Sequence, residues 1–248
     1  MGSVVLSGKQ GWSVAQHDFS NPSSANQEVL KIIAIVLMVL DHIALISFSD
    51  THPFHWFGRL VLPLLSYLLV FNYLNNTSNQ LAYIKRLMVF SLISQAPYMF
   101  AFERGPLVLN IFFTLGVGLF LVYSYERFLP SPEKHPWRFF VVLTLMVYMV
   151  IFSSLFLSYG PFGIITIFAF YFCFKAQTWW RVTFLITSIY ALNGVLWDPV
   201  VALFGLLSLP IIGVVVRYRI GLKRMNGWLY YLFYPVHLVV LRFAAVTM

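Results

Sequence analysis

The 248-residue chain is 60% hydrophobic and 19% aromatic, and only 10% of its residues are charged. About a quarter of the residues in a soluble domain are charged, so this composition excludes a soluble domain and predicts an all-α, polytopic helix bundle in a lipid bilayer. The net charge of +8 does not predict a nucleic-acid partner, because Lys and Arg accumulate in the cytoplasmic loops of membrane proteins.

Residues 1–29 are predicted to form a polar N-terminal tail. Gly, Ser, Asn and Pro are spread through this segment, and no apolar core precedes a small-residue cleavage site. The segment therefore does not have the pattern of a signal peptide. Residues 30–248 are predicted to form one transmembrane domain.

The first predicted span, LKIIAIVLMVLDHIALI at residues 30–46, contains ionisable residues. Eleven helical steps separate Lys31 from His42, which places them within about 20° of the same helix face and ~16 Å apart along the axis. An ionisable side chain at such depth costs about 2 to 3 kcal/mol or more unless it faces a polar cavity. Asp41 and His42 are therefore candidate functional residues, although an intramembrane His can also serve only as a hydrogen-bonding group between helices.

Eight further apolar segments predict nine spans in all. After the short loop SFSDTHPFHW, they cover approximately residues 58–73, a segment that follows Arg86 and ends near Phe102, and residues 107–123, 139–157, 160–174, 182–196, 200–216 and 228–246. With a cytoplasmic N-terminus, thirteen Lys and Arg residues face the cytoplasm and three face outward. The positive-inside rule therefore predicts a cytoplasmic N-terminus and an external C-terminus.

Other spans carry further candidate residues. Arg59, at the external start of the second span, can extend to the interface or pair with Asp41. Asn110 and Tyr159 lie near external helix ends, where caps and interfacial anchors are also common. His237, in YPVHL, is a second intramembrane histidine and favours a shared polar cavity. Two His and one Asp without ligand spacing do not predict a metal site.

Basic residues at cytoplasmic helix ends can bind an anionic cofactor. Lys31 can hold a phosphate-bearing molecule at the cytosolic interface while the deeper imidazole of His42 meets its reactive end. Lys85 and Arg86 precede the third span at the same membrane face. The alternative for Lys31 is a helix-end lysine whose ammonium group extends to the interface.

Several segments resemble the TraX family of conjugative plasmids, inner-membrane proteins that N-acetylate the pilin subunit. The similar segments are LKIIAIVLMVLDHI, FGRLVLPLLSYLLV, RLMVFSLISQAPY, LNIFFTLG, SYGPFGI and FYPVHLVVL. Lys31 and His42 also resemble the Arg/Lys-x10-His signature of membrane acyltransferases. In that wider superfamily the histidine is taken to be catalytic and the basic residue to serve the coenzyme A end.

The resemblance implies an N-acetyltransferase of the bacterial inner membrane. Acetyl-CoA would be the donor, bound by Lys31, Lys85 and Arg86, and the α-amino group of mature pilin would be the acceptor. His42, next to Asp41, would act as general base or carry the acetyl group. A proton-coupled transporter and an acyltransferase that modifies a glycan or lipid are the alternatives.

Overall fold

The computed structural model describes residues 23–48, 52–129, 133–153, 155–195, 198–218, 222–223 and 225–247. Their regular structure is helical: α1 (Ser24–Ser47), a 3-10 helix (Pro53–Phe57), α2 (Gly58–Asn75), α3 (Gln80–Phe102), α4 (Ile111–Phe128), α5 (Pro136–Ser153), α6 (Gly160–Lys175), α7 (Trp179–Gly194), α8 (Pro199–Leu206), α9 (Ser208–Arg217) and α10 (Gly227–Thr247). Residues 1–22 of the predicted tail lie outside the described residues.

Among the described residues, six helical segments are long and apolar enough to cross a membrane. They are residues 26–47, 53–75, 111–128, 136–153, 199–217 and 227–247. The shorter α6 is also apolar, and α3 and α7 occupy the positions of the third and seventh predicted spans. The prediction of an all-helical membrane bundle is therefore confirmed.

Helix α1 begins earlier than the sequence prediction placed it. Ser23 is its N-cap, and the Ser23 hydroxyl oxygen accepts a hydrogen bond of 3.2 Å from the backbone N–H of Asn26. Such a cap satisfies one of the amide groups that have no partner within the first helical turn. Residues 24–29 are therefore helical and extend the first span towards the N-terminus.

The eighth predicted span consists of two helices, α8 and α9, which meet at Leu207. Pro210 explains the interruption, because it has no backbone N–H and its ring crowds the carbonyl group of Leu206. The Ser208 hydroxyl group donates a hydrogen bond of 2.8 Å to the carbonyl oxygen of Gly205 at the junction. Together α8 and α9 cover one apolar segment of spanning length.

The helices differ greatly in burial. Helix α2 lies at the centre, where it packs against α1, α4, α6, α8 and α9, and most of its residues are buried. Helix α5 packs against α6, and none of its residues is buried. Helix α1 also contacts the 3-10 helix and α10, while α3 packs on α4 and α10. This arrangement brings the ionisable residues of α1, α2 and α10 together.

Candidate functional site

A cavity of about 580 Å³ lies where α1, α2 and α10 meet, and we call it the histidine cavity. Its lining includes Asp41, His42, His55 and Arg59. These four residues are 7%, 8%, 4% and 6% exposed, respectively. Burial of such groups costs free energy unless each has polar partners. The contacts among them therefore determine which chemistry the cavity can support.

His42 is held by the second histidine that the sequence singled out. His42 Nδ1 lies 2.8 Å from His237 Nε2, and His237 Nδ1 lies 2.9 Å from the carbonyl oxygen of Phe233. Because a carbonyl oxygen only accepts, His237 donates from Nδ1, and its Nε2 accepts the proton of His42 Nδ1. In its neutral form, His42 therefore carries its proton on Nδ1 and leaves the lone pair of Nε2 available.

A second network contains Asp41, His55 and Arg59. His55, in the 3-10 helix, places its Nδ1 2.5 Å from Asp41 Oδ1. A guanidinium N–H of Arg59 donates to His55 Nε2, so His55 donates from Nδ1 to the carboxylate. The sequence is compatible with a direct pairing of Arg59 with Asp41, whereas in the structure His55 bridges the two side chains.

Gly58 allows the close approach of α2 to the Asp41 carboxylate. A Cβ atom on Gly58 would lie 2.3 Å from both Cγ and Oδ1 of Asp41. Only a residue without a side chain fits this contact, because non-bonded heavy atoms do not approach so closely. The first residue of α2 thus fixes the position of the carboxylate beside His42.

The two networks meet between Asp41 and His42. Asp41 Oδ2 lies 3.9 Å from His42 Nε2, so a proton that His42 accepts on Nε2 would form an ion pair with the carboxylate. The carboxylate of Asp41 would stabilise the imidazolium that results. Among the described residues, no group of three or more His, Cys, Asp and Glu side chains is placed to hold one metal ion.

Tyr159 adds a hydroxyl group to the lining of the cavity. Gly160 follows it with a φ of 52°, a left-handed conformation that glycine adopts without strain. The N–H of Ser158 donates to the carbonyl oxygen of Leu109 at 3.2 Å, which ties this segment to the α3–α4 connection. Burial raises the pKa of Tyr159, and Asp41 acts in the same direction. The phenol therefore stays protonated as a hydrogen-bond donor.

Asn110 has a structural role at the start of α4. Its side-chain oxygen accepts a hydrogen bond of 3.0 Å from the N–H of Phe112. Its amide group donates to the carbonyl oxygen of Ser91 at 2.8 Å and to the side-chain oxygen of Gln95 at 2.9 Å. Asn110 therefore caps α4 and ties it to α3, and these contacts direct its side chain to α3 and α4.

A second cavity, of about 260 Å³, is lined by two of the three basic residues predicted to bind the donor, and we call it the basic vestibule. Lys31 and Arg86 both line it. Lys31 Nζ lies 2.8 Å from Glu28 Oε1 and 4.8 Å from the ring centre of Tyr230. Arg86 Nε lies 3.4 Å from the hydroxyl oxygen of Tyr231. These two cations form a surface that can bind anionic oxygen atoms.

Lys85 lies apart from this vestibule. It is exposed on α3 and is not among the residues that line the cavity around Lys31 and Arg86. Successive residues of a helix point about 100° apart, so Lys85 and Arg86 cannot share one direction. The role of Lys85 in donor binding stays a prediction.

The sequence does not single out His55 or Glu28. His55 lies in a segment typical of a connecting loop, and its only signal is a spacing of four residues to Arg59, which is one helical turn. Glu28 precedes the predicted span, and Ser23, a residue typical of N-caps, is the signal that would have extended the helix to include it.

The fold and the buried polar networks define a polytopic helical membrane protein with an ionisable site inside the bundle. A family model described as TraX protein matches residues 26–244, and the chain belongs to the TraX family. The probable fimbrial assembly protein FimC, serogroup H1, of Dichelobacter nodosus is 30% identical over 238 residues, which cover 86% of this chain and 92% of that protein. No solved structure matches the chain. The resemblance that the motifs indicate is confirmed.

Proposed function

We propose that the protein is a membrane acetyltransferase that transfers the acetyl group of cytosolic acetyl-CoA to the N-terminal amine of a membrane-inserted pilin. Membership of the TraX family supports a role in pilus biology. The similar protein of Dichelobacter nodosus is described as a probable fimbrial assembly protein, which favours a pilin as the acceptor.

The proposal rests mainly on the position and hydrogen bonding of His42. Its Nδ1 is engaged with His237, its Nε2 is 3.9 Å from the Asp41 carboxylate, and its ring lines a cavity large enough for a small acyl group and an amine. A histidine with one nitrogen fixed and the other available is the arrangement that general-base chemistry requires.

The basic vestibule is the proposed binding site for the phosphates of coenzyme A. Lys31 and Arg86 supply charge-assisted hydrogen bonds, which contribute about 1.5 to 3 kcal/mol each. Glu28 holds one side of the Lys31 ammonium group, and the other N–H donors of Lys31 stay available for a ligand.

The proposed reaction is an acyl transfer. The neutral amine attacks the thioester carbonyl, a C–N bond forms, the C–S bond breaks, and the amine proton leaves through His42 to the coenzyme A thiolate. Asp41 stabilises the transient imidazolium, and Tyr159 can donate a hydrogen bond to the oxyanion. In the alternative route, Nε2 of His42 attacks the thioester carbonyl, the C–S bond breaks and the coenzyme A thiolate leaves. The amine then attacks the acetyl-imidazole, the C–N bond to His42 breaks, and the amine proton passes to the thiolate.

The proposed topology has nine crossings, a cytoplasmic N-terminus and an external C-terminus, in the bacterial inner membrane. Thirteen of the sixteen Lys and Arg residues support this orientation. Reporter fusions after Phe128 and at the C-terminus should give opposite signals. Equal signals from the two fusions would rule out the nine-crossing topology.

A mass spectrum of pilin tests the proposed activity. Pilin from cells that contain the chain should carry one N-terminal acetyl group, and pilin from cells that lack it should have a free amine. The Lys134→Ala variant, altered at an exposed residue outside the two cavities, serves as the expression control. Identical pilin masses with and without the chain would contradict the proposal.

A further inference from the structure

The histidine cavity and the basic vestibule meet inside the bundle. Met38, Ile111 and Tyr234 line both spaces. Glu103, just after the end of α3, lines only the histidine cavity, whereas Thr77, before the start of α3, lines only the vestibule. Since the 23-residue α3 is about 35 Å long, the two spaces approach opposite ends of the bundle.

Tyr234 is the largest of the three shared residues, and it is 3% exposed. Its ring packs edge-on against Phe112 with ring centres 4.9 Å apart. The centre of the ring lies 6.2 Å from that of His42, and the hydroxyl group lies against the backbone of Ile111. The side chain of Tyr234 therefore stands between the vestibule and the reactive histidine.

The groups around this junction can change conformation. Met38 lies one helical turn before His42, and its unbranched thioether side chain adapts to different shapes. Pro235 follows Tyr234 directly and, because it lacks an N–H, cannot donate to the carbonyl oxygen of Tyr231. Prolines inside helices are sites of bending, so the α10 backbone at Tyr234 is less restrained than a regular helix.

We infer that Met38, Ile111 and Tyr234 form a partition that closes the passage between the two cavities and opens to admit the acyl end of the donor to His42. Tyr234 is then a positioning residue that determines which acyl groups pass. The role in donor selection rests on the proposed acetyl transfer. The closure of the passage is independent of that transfer, because any continuous polar path between opposite ends of the bundle would let protons cross the membrane.

A proton-leak measurement tests the closure. The full chain is reconstituted in lipid vesicles with an enclosed pH-sensitive dye, and the dye signal is followed after a pH step. Vesicles with Tyr234→Ala should leak protons several-fold faster than those with wild-type protein, whereas Tyr234→Phe should retain the closed passage. Tyr98→Ala is the matched control, because Tyr98 lines the histidine cavity but not the vestibule.

The leak measurement tests whether Met38, Ile111 and Tyr234 close the passage, and this test does not depend on acetyltransferase activity. A Tyr234→Ala protein with wild-type helicity and no more leak than Tyr98→Ala would overturn it. A leak that rises in Tyr234→Ala alone supports it.

Donor selectivity tests the second part of the inference. Transfer to purified pilin is measured with acetyl-CoA and with hexanoyl-CoA. Because differences of a few methylene groups are worth about tenfold or more in a shaped pocket, Tyr234→Ala should raise the hexanoyl-to-acetyl rate ratio by about that factor. An unchanged ratio overturns the role in donor selection. No transfer by the wild-type protein from either donor would contradict the proposed function and leave the leak result as the test of the partition.

Discussion

The two cavities handle buried charge in different ways. In the histidine cavity, Asp41 and Arg59 are bridged by His55, and His42 is held by His237. In the basic vestibule, Lys31 pairs with Glu28, but the Lys31 side chain keeps 22% of its surface exposed. Groups that pair with each other are fixed in position, whereas exposed cations retain the capacity to bind a mobile anion. On the basis of this comparison we propose that the chemistry takes place in the first space and that the donor binds in the second.

This division predicts different kinetic effects. A change in the histidine cavity should lower the rate of acetyl transfer from bound donor, and a change in the vestibule should weaken donor binding. The three substitutions below test that difference in order of decreasing effect.

Gly58→Ala should have the largest effect of the three. The added methyl group would meet the Asp41 carboxylate at 2.3 Å, and a displacement of about 1 Å in a catalytic arrangement can cost roughly 100-fold in rate. Single-turnover acetylation of pilin is the measurement. Gly105→Ala is the control, because its Cβ meets nothing within 4 Å. Equal rates for the two variants would show that the position of Asp41 does not matter for transfer.

His237→Ala should slow transfer by about 10- to 100-fold, the effect of removing the hydrogen-bond partner that orients a histidine in a metal site. The substitution removes the acceptor that fixes the His42 Nδ1 proton. His237→Gln, which supplies an amide oxygen, should recover part of the rate, while the Kd for acetyl-CoA stays unchanged in both. A loss of rate without any recovery by Gln would argue against the assigned tautomer.

Lys31→Ala should have the smallest effect on the rate from bound donor, but it should weaken acetyl-CoA binding by about tenfold, the loss of one charge-assisted contact. Calorimetric titration of purified protein gives the Kd. Lys134→Ala is the matched control, since this lysine is exposed outside the vestibule. If Lys134→Ala weakens binding as much as Lys31→Ala, the loss does not report a phosphate contact in the vestibule.

The sequence predicted the parts of the site that follow from periodicity along one helix. Lys31 and His42 lie in the two spaces that meet at Met38, as a shared helix face would require. His55 could not be placed in this way, because its contact with Asp41 depends on the geometry of a short connection. That geometry depends in turn on Gly58.

The fold was predicted from composition, but helix ends and packing order were not. Hydropathy does not show that Pro210 divides the eighth span, and it does not show that α2 is central while α5 lies at the periphery. Both features depend on contacts between segments that are distant in sequence. The hydrogen bond between His42 and His237, which are 195 residues apart, could be anticipated only as a shared polar cavity.

The most direct test of the central claim is the transfer rate of His42→Ala. Purified wild-type protein and the variant are reconstituted in vesicles at equal levels, and pilin acetylation is followed with saturating acetyl-CoA. General-base catalysis contributes about 100- to 10,000-fold, so the variant should retain its helicity and its Kd for acetyl-CoA while acetylation falls by that factor. His52→Ala, altered outside the lining of the histidine cavity, should transfer at the wild-type rate. A His42→Ala protein that acetylates pilin at a near-normal rate would show that His42 is structural and would contradict the mechanism.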